Sequence, residues 1–323
     1  MRRVLVLGGT GWLGREVADA ALRTGAEVTC LARGLSGEVP TGARLVRADR
    51  SLPGAYDDVA DDWDAVVDLA TDPAHVRSAL DALSARAAHW TGVSSVSVYA
   101  RTDEPDGDEA ADVVEPEDVT RYPDAKVAGE RAVRAVRGAD ALVVRPGLVV
   151  GPGDPSDRFG YWAARLERGG DVVVPVLEGR AVQVVDVTDL AEWIARAGAG
   201  ARTGTVDAVG RSTSMGVFLE AVATATAFDG RLVETDDAAL LEHGVAYWAG
   251  AASLPLWIPV SEVGFARRSG RAFRDAGGVA RPLVETVGRV VEDERRRGVD
   301  RPRRAGLTPD HERRVLRAVA GRD

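Results

Sequence analysis

The chain has 323 residues, 45% of them hydrophobic, enough to bury one large core or a main domain with a smaller appendage. A formal net charge of −9 works against general nucleic-acid affinity, which depends on cations that neutralise phosphates. One cysteine, Cys30, and four histidines (His75, His89, His243, His311) without metal-ligand spacing leave no basis for a disulfide framework or a metal site.

Met1-Arg2-Arg3 leads straight into the apolar run Val4-Leu5-Val6-Leu7 without a secretory segment, and no run approaches the length that spans a bilayer. A cytoplasmic location and no membrane partner are therefore expected. Over residues 1–150, short β-branched runs alternate with amphipathic stretches, which predicts an α/β fold of Rossmann type: a doubly wound parallel sheet covered on both faces. Strands are expected near 3–7, 27–32, 43–48, 64–69, 90–95 and 141–146. After the first of them comes Gly8-Gly9-Thr10-Gly11-Trp12-Leu13-Gly14. Glycine at 8 permits a tight turn, at 11 lets backbone approach a pyrophosphate, and at 14 lets helix and strand pack closely. A helix from about Trp12 to Thr24, with Leu13, Val17 and Ala21 on one face and Gly25 at its end, puts its N-terminus on this loop. Gly8, Thr10, Gly11, Trp12, Leu13 and Gly14 are thus candidates for holding a dinucleotide.

The second expected strand ends in Ala32-Arg33. An NAD enzyme usually places a carboxylate there for the ribose 2′-hydroxyl; here Ala32 takes that position and Arg33 follows, where a guanidinium can pair a 2′-phosphate. NADP(H) is the favoured cofactor and NAD the alternative, unless Arg33 is an ordinary exposed arginine. The segment Val93-Ser94-Ser95-Val96-Ser97-Val98-Tyr99 ends the fifth strand at the carboxyl edge of the sheet, where open α/β folds bind ligands. Ser95 either holds a reacting oxygen or caps the strand end. Between 103 and 118 nine side chains are Asp or Glu, forming either an electronegative rim that favours a neutral or cationic small-molecule substrate or a solvated loop.

A helix over 122–137, with Pro123 in its first turn, carries Tyr122 and Lys126 on one face and is expected to turn Val127, Ala128, Val133 and Val136 inward. The tyrosine can exchange a proton with a substrate oxygen, and an adjacent ammonium stabilises the phenolate. Beyond Gly151-Pro152-Gly153, helices are expected near 157–168, 188–199, 214–226, 280–297 and 308–321, and strands near 172–175, 182–186 and 204–208. The division is a dinucleotide-binding domain over 1–155 and a smaller, mostly helical substrate-binding lobe over 156–323, discontinuous because 182–208 is expected to return to the main sheet. Trp248, Leu254, Leu256, Trp257 and Ile258 form either a pocket wall or core, and the arginines between 295 and 304 read as a solvated surface.

Taken together these motifs resemble the extended short-chain dehydrogenase/reductase family, the group that includes nucleotide-sugar epimerases and dehydratases. The resemblance covers about residues 1–210. It rests on the glycine loop, Ser-Ser-x-x-Val-Tyr at 94–99, Tyr122 with Lys126, Arg145-Pro146-Gly147 with Gly151-Pro152-Gly153, and Asp186-Val187-Thr188-Asp189-Leu190. It implies Ser95, Tyr122 and Lys126 as the catalytic group, Asp49 and Arg50 near the adenine, Leu69 and Ala70 near the cofactor riboses, and Pro146 near the nicotinamide. The chain departs from the family in two places. Val182-Gln183-Val184-Val185 lacks the arginine that holds the substrate diphosphate in nucleotide-sugar epimerases, with Arg180 two residues away as a substitute. Asp68-Leu69-Ala70 stands where many relatives have His-Leu-Ala.

The expected function is hydride transfer between NADP(H) and a carbonyl or alcohol carbon of a small molecule. Epimerisation or dehydration with transient hydride transfer uses the same three residues and stays open. A non-catalytic dinucleotide- or RNA-binding protein is a further alternative, opposed by the net charge and by the presence of all three residues. The sequence is silent on oligomeric state.

Overall fold

The computed structural model describes residues 1–321. Its first half runs β1 (Arg3–Leu7), α1 (Trp12–Arg23), β2 (Glu27–Ala32), β3 (Arg44–Arg47), β4 (Trp63–Asp68), α2 (Pro73–Leu83), β5 (Ala87–Val93), α3 (Tyr122–Arg137) and β6 (Ala141–Pro146). The second half continues with β7 (Leu148–Val150), α4 (Arg158–Glu167), β8 (Asp171–Pro175), β9 (Ala181–Asp186), α5 (Val187–Ala199), β10 (Gly204–Ala208), β11 (Ser212–Ser214), α6 (Met215–Thr226) and β12 (Arg231–Thr235). It closes with α7 (Asp237–Glu242), β13 (Ala246–Trp248), β14 (Ser253–Pro255), α8 (Arg271–Asp275), α9 (Leu283–Arg297) and α10 (Pro309–Ala320).

Seven parallel strands form the main sheet in the order β10-β6-β5-β4-β1-β2-β3. The order reverses beside β1, so the carboxyl ends of β1 and β4 flank the crevice where such sheets bind ligands. Buried Val17, Ala21, Leu190 and Trp193 of α1 and α5 cover one face. Val76, Leu80 and Val133 of α2 and α3 cover the other, against Trp90 and Val143. A doubly wound sheet results, because strands such as β4 and β6 are apolar on both faces and need a helix on each.

A second core lies under α4, α6 and α9, built on Phe159, Trp162, Phe218 and Trp257. It is less helical than expected, since three small sheets (β11-β9-β7, β12-β8 and β13-β14) brace it. Within the 182–208 stretch, β10 pairs with β6 in the main sheet while β9 pairs with β7 and β11 outside it. Helix α2 was not expected from the sequence, and Val136, expected inward, is 50% exposed because it lies in the last turn of α3, beyond the sheet. The 295–304 arginines are not simply solvated. Glu294, almost fully buried, binds Arg301 and Arg303, and Asp157 binds Arg301 and accepts the Arg304 N–H at 2.9 Å, tying α9 to the start of α4.

Candidate active site

At the carboxyl edge of the sheet a cavity of about 630 Å³ opens between the two cores. Its walls include Gly8, Gly11, Trp12, Leu13 and Gly14 on one side, Ser95, Tyr122, Lys126 and Pro146 in the middle, and Asp154, Ser156, Arg158, Trp248 and Phe265 on the other. A second recess of about 290 Å³ shares Gly8, Gly11 and Leu69 with it and continues to Thr10, Arg33, Asp49, Arg50 and Ala70. The sequence candidates therefore lie along one cleft, from the end of β2 to the start of α3.

The glycine loop fits a pyrophosphate. Gly8 has φ +97, a conformation that L side chains rarely adopt, and a Cβ on Gly14 would sit 2.3 Å from the Gly8 carbonyl oxygen. Gly11 caps α1 without a side-chain acceptor, so the N–H groups of the first helical turn remain open toward the cleft. The Trp12 indole donates to the Pro152 carbonyl at 2.9 Å, which joins the loop to the Gly151-Pro152-Gly153 turn. No carboxylate ends β2, where Ala32 is buried and Arg33 is exposed. Asp49 accepts the Ser51 N–H and hydroxyl at 3.0 and 2.7 Å; these bonds, with the Arg33 charge nearby, hold its pKa below the usual carboxylate value. Arg50 lines the recess, but its guanidinium turns inward, binding Asp68 at 2.8 and 2.9 Å, the Tyr56 hydroxyl and the His75 carbonyl. The unusual Asp68 therefore has a partner, and its Oδ1 also accepts the Ala70 N–H.

Ser95 accepts the Ser97 N–H at 3.1 Å and heads a short 3₁₀ turn, so it caps the chain where β5 ends and faces the cavity as well. Lys126 is the only lysine in the chain, which carries 41 lysines and arginines together. Its ammonium donates to the Ala70 and Val93 carbonyls, both at 2.9 Å, and stands 5.8 Å from the Tyr122 ring centroid. Burial lowers its pKa to about 8, against the opposing attraction of Asp68 and Glu130. A cavity of about 20 Å³ beside it, also lined by Asp68, Ser94 and Glu130, is large enough for one water.

The Tyr122 hydroxyl departs from expectation. Its pKa is raised by burial, and the groups that pull it back down are a hydrogen bond with Ser95 and the charge of Arg158, whereas Lys126 is engaged by the two carbonyls. Tyr122 as a residue is 47% exposed, so water in the open cleft screens the charges around it.

Two further sets of residues were given no role by sequence reasoning. Behind the cleft, Glu130 binds Ser94 at 2.6 Å and Arg145 at 2.7 and 2.8 Å; Arg145 reaches the Tyr99 hydroxyl at 2.9 Å, and Tyr99 donates to Asp207 at 2.6 Å. Asp154, Arg158 and Phe265 reach the cavity from the second half, where the cue was at best a charged residue beside a glycine-rich turn. The 103–118 carboxylates do not line the cavity: Asp103 and Glu115 pair with Arg101 and Arg131, and Glu109 accepts the Asp207 N–H. Arg180, the proposed substitute for the missing diphosphate arginine, is also out of reach, held by Asp237 and the Ile258 and Val176 carbonyls. Among the described residues no helix is long and apolar enough to cross a membrane.

Comparison with known proteins adds to this geometry. The photosystem II assembly factor Ycf39 of Synechocystis sp. is 36% identical over 93 residues, 28% of this chain and 27% of that protein, so the chain matches only about a quarter of that relative's length. The dTDP-4-dehydrorhamnose reductase of Streptomyces griseus is 31% identical over 221 residues, 64% of this chain and 68% of that enzyme. The UDP-glucose 4-epimerase of Thermus thermophilus, solved with NAD, shares the fold at a TM-score of 0.67 and 20% identity, covering 91% of this chain and 99% of that one. The family model described as NAD dependent epimerase/dehydratase matches residues 4–208, and with the glycine loop, the parallel sheet and the cleft in place, the chain belongs to that family.

Proposed function

We propose that the protein is an NADP(H)-dependent oxidoreductase acting on a carbonyl or alcohol carbon of a small molecule. The observation that carries this reading is that Ser95, Tyr122 and Lys126 line the same cavity as the glycine loop. The dinucleotide would be held by the open first turn of α1, by Leu69 and Ala70 beside the riboses, by Asp49 at the adenine end, with Arg33 facing the 2′-phosphate and Pro146 the nicotinamide. When bound, it supplies the hydride.

The protein's own part is positional and electrostatic. Ser95 orients the substrate oxygen toward the Tyr122 hydroxyl, which gives or takes its proton. Lys126, fixed by two carbonyls, would have one ammonium hydrogen left to hold the nicotinamide ribose. Arg158 favours the phenolate form while the proton is away. Epimerisation or dehydration is the second reading, supported by the family match.

Cofactor choice is tested by fluorescence titration of NADPH and NADH against the wild type and Arg33→Ala. The wild type is expected to bind NADPH more tightly, and the preference should shrink in the variant. Equal wild-type affinities would rule out the 2′-phosphate role of Arg33.

A further inference from the structure

We propose that Arg158, stacked on Trp248, is the anion-reading subsite of this cleft, and that the substrate is a compact carbonyl or alcohol compound carrying one carboxylate or phosphoryl group. The inference rests on the oxidoreductase reading above. Buried arginines elsewhere each have a carboxylate: Arg145 has Glu130, Arg180 has Asp237 and Arg268 has Asp207. Arg158, half-buried in the cavity wall, makes no direct ion pair among the described residues, and the one carboxylate that acts on it, Asp154, does so across the wall without a hydrogen bond to it. Its Nε donates to the Ser156 hydroxyl at 3.2 Å, and its Cζ lies 5.2 Å from the Trp248 ring centroid. A guanidinium held by its Nε and by an indole is a pre-set fork for an oxyanion. Asp154, the other charged group on this wall, directs its oxygens to the Ser156 N–H and hydroxyl at 2.8 and 2.9 Å.

The backbone supports a built site. Trp248 has φ +68, a costly conformation for a bulky residue, and its ring meets Phe265 edge-on at 5.2 Å. Asp157 is also left-handed, at φ +61, and the Arg301 and Arg304 contacts fix it there, which sets where α4 begins and so where Arg158 points. A nucleoside diphosphate fits less well. At the position where the family's diphosphate arginine is expected, Gln183 is buried and bonded to Gly210 and Arg268, and the cavity of about 630 Å³ also has to admit the nicotinamide.

Calorimetric titration of the NADPH-loaded protein with benzoate, phenyl phosphate, benzamide and uridine diphosphate tests this. Benzoate or phenyl phosphate should bind saturably and benzamide at least about tenfold more weakly, the anions separating carboxylate from phosphoryl recognition. Arg158→Gln and Trp248→Ala should each lose about tenfold for the preferred anion, and Arg158→Lys should recover part of it, with melting curves confirming that each variant is folded. The inference is overturned if neither anion binds, if benzamide binds equally well, if Arg158→Gln binds the anion as the wild type does, or if uridine diphosphate binds more tightly and independently of Arg158. NADPH and NADH affinity, measured first in every variant, separates the two claims: a wild type that binds neither sinks the oxidoreductase reading, whereas intact cofactor binding with no anion preference sinks this one alone.

Discussion

Tyr122 has its hydroxyl in a recess where burial opposes ionisation, while Ser95 and Arg158 favour it. Tyr122→Phe keeps the ring and removes the exchangeable proton. Turnover on the physiological substrate should fall by about 10² to 10⁴ with NADPH affinity retained, and near wild-type kcat would contradict the role. Lys126 can be followed directly, being the only side-chain amine. With its pKa lowered to about 8, its ammonium form is present below that pH and lost as pH rises through it. Cofactor affinity that depends on the ammonium should therefore decline above about pH 8, in a profile that Lys126→Met flattens. At the same pH, acetic anhydride should acylate Lys126 in the free protein and be excluded by NADPH, read by peptide mass spectrometry; equal labelling would place the cofactor elsewhere. Ser95, Tyr122 and Lys126 were legible because each sits at a fixed spacing within one segment. Trp248 was legible as a candidate pocket wall and does line the cavity, but Arg158 and its stacking on Trp248 were not, because only tertiary packing brings β13 to the start of α4.

Among the elements, the β1 to α1 turn is tightly constrained. A Cβ at position 14 would lie 2.3 Å from the Gly8 carbonyl oxygen and 2.9 Å from its carbon, both backbone atoms that cannot swing away. Gly14→Ala should lower both the melting temperature and NADPH affinity, and unchanged values in thermal-shift titration would contradict the close packing of helix on strand. This turn was readable because its glycines have a geometric cause. Helix α2 also carried its marks, Asp72 at the cap, Pro73 in the first turn, and Val76, Leu80 and Leu83 at helical spacing, and these were passed over although the helix is no shorter than α4. Strands β7, β11, β13 and β14 span three residues each, too few for alternation to show, and their pairing is decided by the second core.

For the whole molecule, Asp207 joins parts distant in sequence. It is fully buried at the end of β10, its carboxylate accepts the Tyr99 hydroxyl and Arg268 Nε, and its N–H donates to Glu109 in the acidic segment. Burial raises its pKa to about 6 despite those donors. Asp207→Ala would leave Arg268 buried without its anion and should cost about 3–5 kcal/mol in urea unfolding; a loss below about 1 kcal/mol would show that the network adds little. Net redox chemistry is read from cofactor and product together. The wild type is mixed with NADPH and a carbonyl compound that stabilises it in thermal shift, and nicotinamide absorbance is followed alongside product. One NADPH should be oxidised for each alcohol formed. An isomerised or dehydrated product accumulating while the nicotinamide absorbance stays constant would contradict it.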